Sequence, residues 1–147
     1  MTDAVTVINA ISLGLKLVDQ FREMVIRFRG DKPHAPSASV DQEGDALQIK
    51  EHGQVVQQVD ATQIRMGDVD EVRLRALERR IKVNWELFNE LFSQEPLLAV
   101  EERARIKIRM DRMKDDLCED FREMVRMYEQ ILNIGLPDHY SLYEVCS

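Results

Sequence analysis

The sequence predicts a mainly α-helical protein: a bundle of three long helices with a small β-hairpin inserted between helix 1 and helix 2. Three observations carry that prediction. Apolar residues recur at helical spacing in three long stretches. Gly and Pro are scarce, 6 and 4 residues of 147, while helix-favouring residues are plentiful. Strand-like alternation bounded by turn signals appears in one short region, about 46–59. A chain of this length suits a single domain with a real core.

Helix 1 is expected within residues 1–30, capped by Thr2 or Asp3 and stopped by Gly30 and Pro33. Ala4, Val5, Val7, Ile8, Ala10, Ile11, Leu13, Leu15, Leu17 and Val18 cover most of its circumference. Asn9, Ser12, Lys16, Gln20, Glu23 and Arg27 align as one narrow polar strip. Burying one Leu or Ile stabilises by roughly 1.5–3 kcal/mol, so leaving this surface open would invite aggregation. Helices, another subunit or a membrane must cover it. Its apolar stretch of about 15 residues before Asp19 is short of the roughly 20 that cross a bilayer. Asp3 and the lack of a basic leading segment or small-residue cleavage site argue against a signal peptide.

Residues 31–44 hold Pro33, Pro36, Ser37, Ser39 and Gly44 and read as a flexible, exposed linker. The region 45–66 follows. Leu47 and Ile49 alternate with polar neighbours, His52-Gly53 marks a turn, and Val55, Val56 and Val59 form the return strand. Residues 62–66 are a further extended candidate. A lone hairpin is marginal in water, so it must dock on helices or pair with another chain.

Residues 67–134 predict a long antiparallel helical hairpin turning at 93–96. Helix 2, about 70–92, carries Val69, Val72, Ala76, Leu77, Ile81, Asn84, Phe88 and Leu91 at helical spacing. Leu74, Trp85, Leu87 and Phe92 widen that face. Helix 3 opens at Pro96, a favoured first-turn residue, and runs to about 134. Its stripe, Ile106, Met110, Met113, Leu117, Phe121, Met124, Tyr128 and Ile131, averages about 3.6 residues per step. Residues 104–110 also alternate like a strand, but the long stripe beyond them favours helix. Gly135 and Pro137 end it. The aromatic tail, 135–147, is too apolar for a disordered end and should fold back on the bundle or dock on a partner.

Composition excludes several functions. With 44% hydrophobic and 32% charged residues the chain reads as globular and soluble. A formal charge of −7 argues against nucleic acid as a partner. Basic residues 103–114 are interleaved with acids and read as a salt-bridged, solvated helix face. Cys118 and Cys146 lack metal-ligand spacing and do not make the disulfide framework of a small secreted domain, so a reducing cytoplasm is expected, with Cys118 as a small packing residue. His34, His52 and His139 form no ligand pattern. There is no phosphate loop and no recognisable Ser/His/Asp set. The reading is therefore no catalytic site, no cofactor and no metal.

One short duplication stands out. Phe21-Arg-Glu-Met-Val25 recurs as Phe121-Arg-Glu-Met-Val125. Two amphipathic helices of similar composition account for it without a function. The functional alternative is a pair of equivalent faces with Phe, Met and Val inward and Arg and Glu outward. Asn84, polar in an apolar seam, either sets partner register or is a hydrogen-bonded core residue.

Three helices cover the wide face of helix 1 only in part, which predicts a homo-oligomer or an unidentified protein partner. The expected function is a non-enzymatic protein-interaction or assembly module acting through helix–helix contacts. Its candidate residues are Ile11, Leu15, Val18, Phe21, Val25, Asn84, Trp85, Phe121, Met124, Tyr140 and Tyr143. The alternative is a regulated membrane-associated effector whose helix 1 contacts or inserts into lipid. Some membrane-permeabilising cell-death proteins resemble this layout, an apolar first helix inside a bundle, in architecture alone.

Overall fold

The computed structural model describes residues 3–32, 35–65 and 67–146, with backbone alone at Val69. Thr2, Pro33, His34 and Met66, named above as a cap, a stop signal, a candidate ligand and a strand end, lie outside the described residues. The architecture is the helical bundle with an inserted antiparallel sheet.

Helix α1 spans Ala4–Phe28, and the Asp3 carboxylate accepts the Val5 N–H at 3.3 Å. Gly30, at φ 81°, ends it in the left-handed conformation that a glycine adopts without strain. Ile8, Ile11, Leu15, Val18, Phe21 and Val25 are all fully buried, which makes α1 the central helix. Asn9, Lys16, Gln20 and Glu23 face out with Arg27, as the polar strip requires, but Ser12 is buried. The helix is also long and apolar enough, by length and composition alone, to cross a membrane. The qualifying stretch includes Lys16 and Asp19, and beyond Phe21 the helix carries Arg22, Glu23 and Arg27.

The sheet has three strands, not two: β1 Ala38–Glu43, β2 Ala46–Glu51 and β3 Gln54–Asp60, antiparallel in that order. Its first strand lies in what reads as linker. Ala38 and Val40 are its only inward side chains, and Ser, Gly and Pro around them mask the alternation. Val40 pairs with Ile49, and Leu47 with Val59, so both hairpins turn their apolar residues to the core. His52 and Gly53 both take positive φ, 51° and 80°, as a two-residue type I′ turn requires. After Asp60 the chain forms a 3₁₀ turn, Ala61–Gln63, in place of the extended piece expected at 62–66. Gln63 Oε1 accepts the Asp60 N–H at 2.8 Å and closes this turn.

Helix α2, Asp68–Gln94, starts with Asp68, Asp70 and Glu71, well placed against the positive end of the helix dipole. A 3₁₀ turn, Glu95–Leu97, leads to α3, Val100–Leu132, which spans about 50 Å. The alternating segment 104–110 is helical. Arg80 clamps Asp120 through two hydrogen bonds of 3.0 and 2.7 Å, tying α2 to α3. The hairpin tip is open to solvent, with Leu97 and Val100 among its exposed residues. Asn133, in the left-handed region, caps α3.

The tail folds back. It forms a 3₁₀ turn, Asp138–Ser141, and a last helical turn α4, Tyr143–Cys146, burying Tyr140, Leu142 and Val145. The sheet and this tail share α1 with the two long helices. They supply coverage that the sequence reading assigned to a partner. A further correction concerns the cysteines: Cys118 on α3 and Cys146 on α4 are joined as a disulfide. Sequence spacing hides the pairing, because folding of the tail alone brings their Cα atoms to 5.7 Å.

Candidate functional site

A concave surface lies where α1, α2 and α3 meet. A groove of about 550 Å³ is lined by Leu13, Gly14 and Leu17 of α1, Trp85 of α2, and Met124 and Tyr128 of α3, among others. Leu13 is 67% exposed, a large aliphatic side chain on the solvent-facing side of α1 among Asn9, Lys16 and Gln20. The groove combines apolar walls with a few polar groups, the usual composition of a binding site.

Gly14 shapes the floor. A Cβ at this position would overlap the Tyr128 hydroxyl and lie 2.8 Å from Tyr128 Cζ, so only glycine lets the ring cross beneath α1. Tyr128 is fully buried, and its hydroxyl reaches Glu78 Oε1 at 3.5 Å. Arg75 approaches Glu78 at 3.4 Å from one turn earlier on α2. Burial pushes the Glu78 carboxyl above its ordinary value, an effect that Arg75 and the tyrosine hydroxyl oppose. Burial and the neighbouring Glu78 also push the Tyr128 phenol well up, so its proton is held. One wall is thus a neutral, hydrogen-bond-donating phenol beside a carboxyl that burial shifts upward. The arrangement offers shape and hydrogen bonds, with no nucleophile and base set against each other.

Behind the groove sits an aromatic cluster. Phe21 packs edge-on to Trp85 at 6.0 Å and against Phe121 at 4.7 Å between ring centroids. The two repeated pentamers therefore meet in space. Because Gly14 neighbours Tyr128 while Phe21 neighbours Phe121, α1 and α3 run antiparallel. Their arginines act on the same segment. Arg22 pairs with Glu144 at 2.5 Å, and Arg122 lies 4.6 Å over the Tyr143 ring. Both hold the C-terminal turn.

The candidate residues thus separate. Ile11, Leu15, Val18, Phe21, Val25 and Phe121 lie inside the fold rather than on a surface. Trp85 and Met124 line the groove. Asn84 is half-buried and not part of the groove lining. Tyr140 is buried, and Tyr143 is exposed on the other side of the tail. Sequence reasoning missed Gly14, Leu13 and Glu78. A glycine in the middle of a strongly apolar helix was the available signal, since it weakens the helix unless something must approach closely.

The basic run is distributed as a solvated face except at Lys114, which is buried. Arg103 and Lys107 meet Glu95 at 3.4 and 3.6 Å, Lys114 meets Asp111 and Asp115, and Arg105, Arg109 and Arg112 are exposed. His139 Nε2 lies 2.5 Å from Asp19 Oδ1 beside a small cavity that Ser39 also lines. No hydrogen bond joins Ser39 to His139 among the described residues, so the three do not form a relay. Among the described residues no group of three or more His, Cys, Asp and Glu side chains could hold a metal ion.

No protein-family model, curated protein or solved structure matches the chain.

Proposed function

We propose that this protein is a non-enzymatic, cytoplasmic interaction module that receives an apolar helix of a partner, in the first instance a second copy, in the α1–α2–α3 groove. The observation that carries the reading is Leu13, exposed at 67% beside Leu17, Trp85 and Met124 in a groove whose floor Gly14 and Tyr128 keep open. A helix laid there would cover Leu13 and place a polar residue within reach of Glu78 and Arg75. No nucleic acid, metal or cofactor enters this reading. Sedimentation of the wild type and of Leu13→Glu, each shown to be folded, tests it. Self-association of the wild type that Leu13→Glu abolishes is the expected result. Two monomeric species at micromolar concentration count against assembly through this groove.

A membrane-associated effector is the second reading, favoured by the length and apolar character of α1. It requires the face carrying Ile8, Ile11, Leu15 and Val18 to leave the core, which would strip the bundle of its central helix. Flotation with anionic and neutral vesicles separates the two: an interaction module stays in the soluble fraction.

A further inference from the structure

The C-terminal turn is held by contacts of two kinds. Leu142 and Val145 are buried against the bundle, Arg22 pairs with Glu144, and Arg29 donates to the Glu144 and Val145 carbonyl oxygens at 3.1 and 2.7 Å. These contacts open and close with thermal motion. The Cys118–Cys146 bond does not, and it is the only covalent cross-link between the tail and α3 among the described residues. It lies at a surface cavity of about 390 Å³ shared with Asp115, Glu119, Arg122 and Arg126. Cys146 is half-buried, whereas Cys118 is buried.

We propose that Cys118 and Cys146 form a redox-operated latch that fastens α4 over the seam between α1 and α3 and releases it on reduction. A small dithiol is the reductant. One of its thiolates attacks a sulfur of the pair, forming a mixed disulfide and expelling the other cysteine as thiolate. The second dithiol sulfur then closes a cyclic disulfide and expels the remaining cysteine. The two protons of the dithiol end on Cys118 and Cys146, so the protein gains two electrons and two protons. Arg122 and Arg126 stabilise a departing thiolate, partly offset by Asp115 and Glu119. Release on reduction rests on the cytoplasmic placement proposed above, where disulfides are mostly transient and redox-sensing rather than permanent staples. With both thiols free, α4 is kept in place only by one helical turn of contacts. Its departure uncovers the apolar surface beneath Leu142 and Val145. This inference is independent of the groove.

Hydrogen exchange on the full chain, oxidised and then reduced with dithiothreitol, tests the latch, with Cys146→Ser as a second route to the open state. Amide exchange over 142–146 should rise at least about tenfold on reduction and in the variant, while the central amides of α1 keep their protection. Glutathione disulfide should restore slow exchange in the wild type and not in Cys146→Ser. Unchanged tail exchange after reduction overturns the proposal. So does loss of protection throughout the bundle, which would make the disulfide a staple of the whole fold.

Discussion

The rings of Phe21 and Phe121 lie 4.7 Å apart between centroids, so the two copies of the repeated pentamer touch at their first residue across the α1–α3 interface. Phe21 also reaches Trp85 and Phe88 on α2, which makes it the point where all three long helices meet. An aromatic pair of this kind is worth about 0.5–1.5 kcal/mol beyond its buried area. A double-mutant cycle with Phe21→Leu and Phe121→Leu, read by urea denaturation, should return a coupling of that size. Additive losses would mean that the rings are merely neighbours.

Gly14 and Tyr128 supply a second pair. Gly14→Ala should gain up to about 1 kcal/mol of helix propensity. It should lose about 1–3 kcal/mol to overpacking against Tyr128, and so destabilise on balance. Adding Tyr128→Phe removes the hydroxyl but leaves the ring carbon that would sit 2.8 Å away, so rescue should be partial. For a chain this long each 1 kcal/mol shifts Tm by about 2–4 °C, within reach of thermal unfolding. Equal stability of wild type and Gly14→Ala would contradict the close approach.

The buried carboxyl of Glu78 gives a pH signature. Burial raises its folded value above the ordinary 4.5, so the folded chain binds this proton more tightly than the unfolded chain. The resulting stabilisation is complete below pH 4.5 and is lost as pH rises through the folded value. Glu78→Gln cannot ionise. Relative to wild type it should therefore gain stability as pH is raised from 4.5 toward neutrality, in denaturant titrations along a pH series. Parallel stability curves would show that Glu78 is solvated like a surface carboxylate.

Much of the fold was legible in the residues, and the failures have physical causes. The helices announced themselves through long periodic stripes, because each buries one face and periodicity survives in the sequence. His52-Gly53 marked its hairpin for a similar reason, since few residue pairs tolerate two positive φ values. β1 was hidden because Ala38 and Val40 are its only inward residues, in a setting that otherwise reads as loop. The disulfide was illegible, because it depends on where the tail returns and not on any spacing. The site failed in a more instructive way. Ile11 and Leu15 on α1 lie on the face that the fold buries, and hydrophobicity alone does not distinguish them from their exposed neighbours. The exposed Leu13 belongs to the same run and differs only in which face the sheet, tail and long helices leave uncovered.

The groove's assignment as a docking surface is tested most directly by a photo-crosslinking residue placed at position 13 in the purified chain. The same probe at Val83, 64% exposed on α2 and outside the groove lining, is the control. The account expects chain-to-chain adducts from position 13 and none above background from position 83. Adducts from both positions, or from neither, would contradict self-assembly through the Leu13 groove.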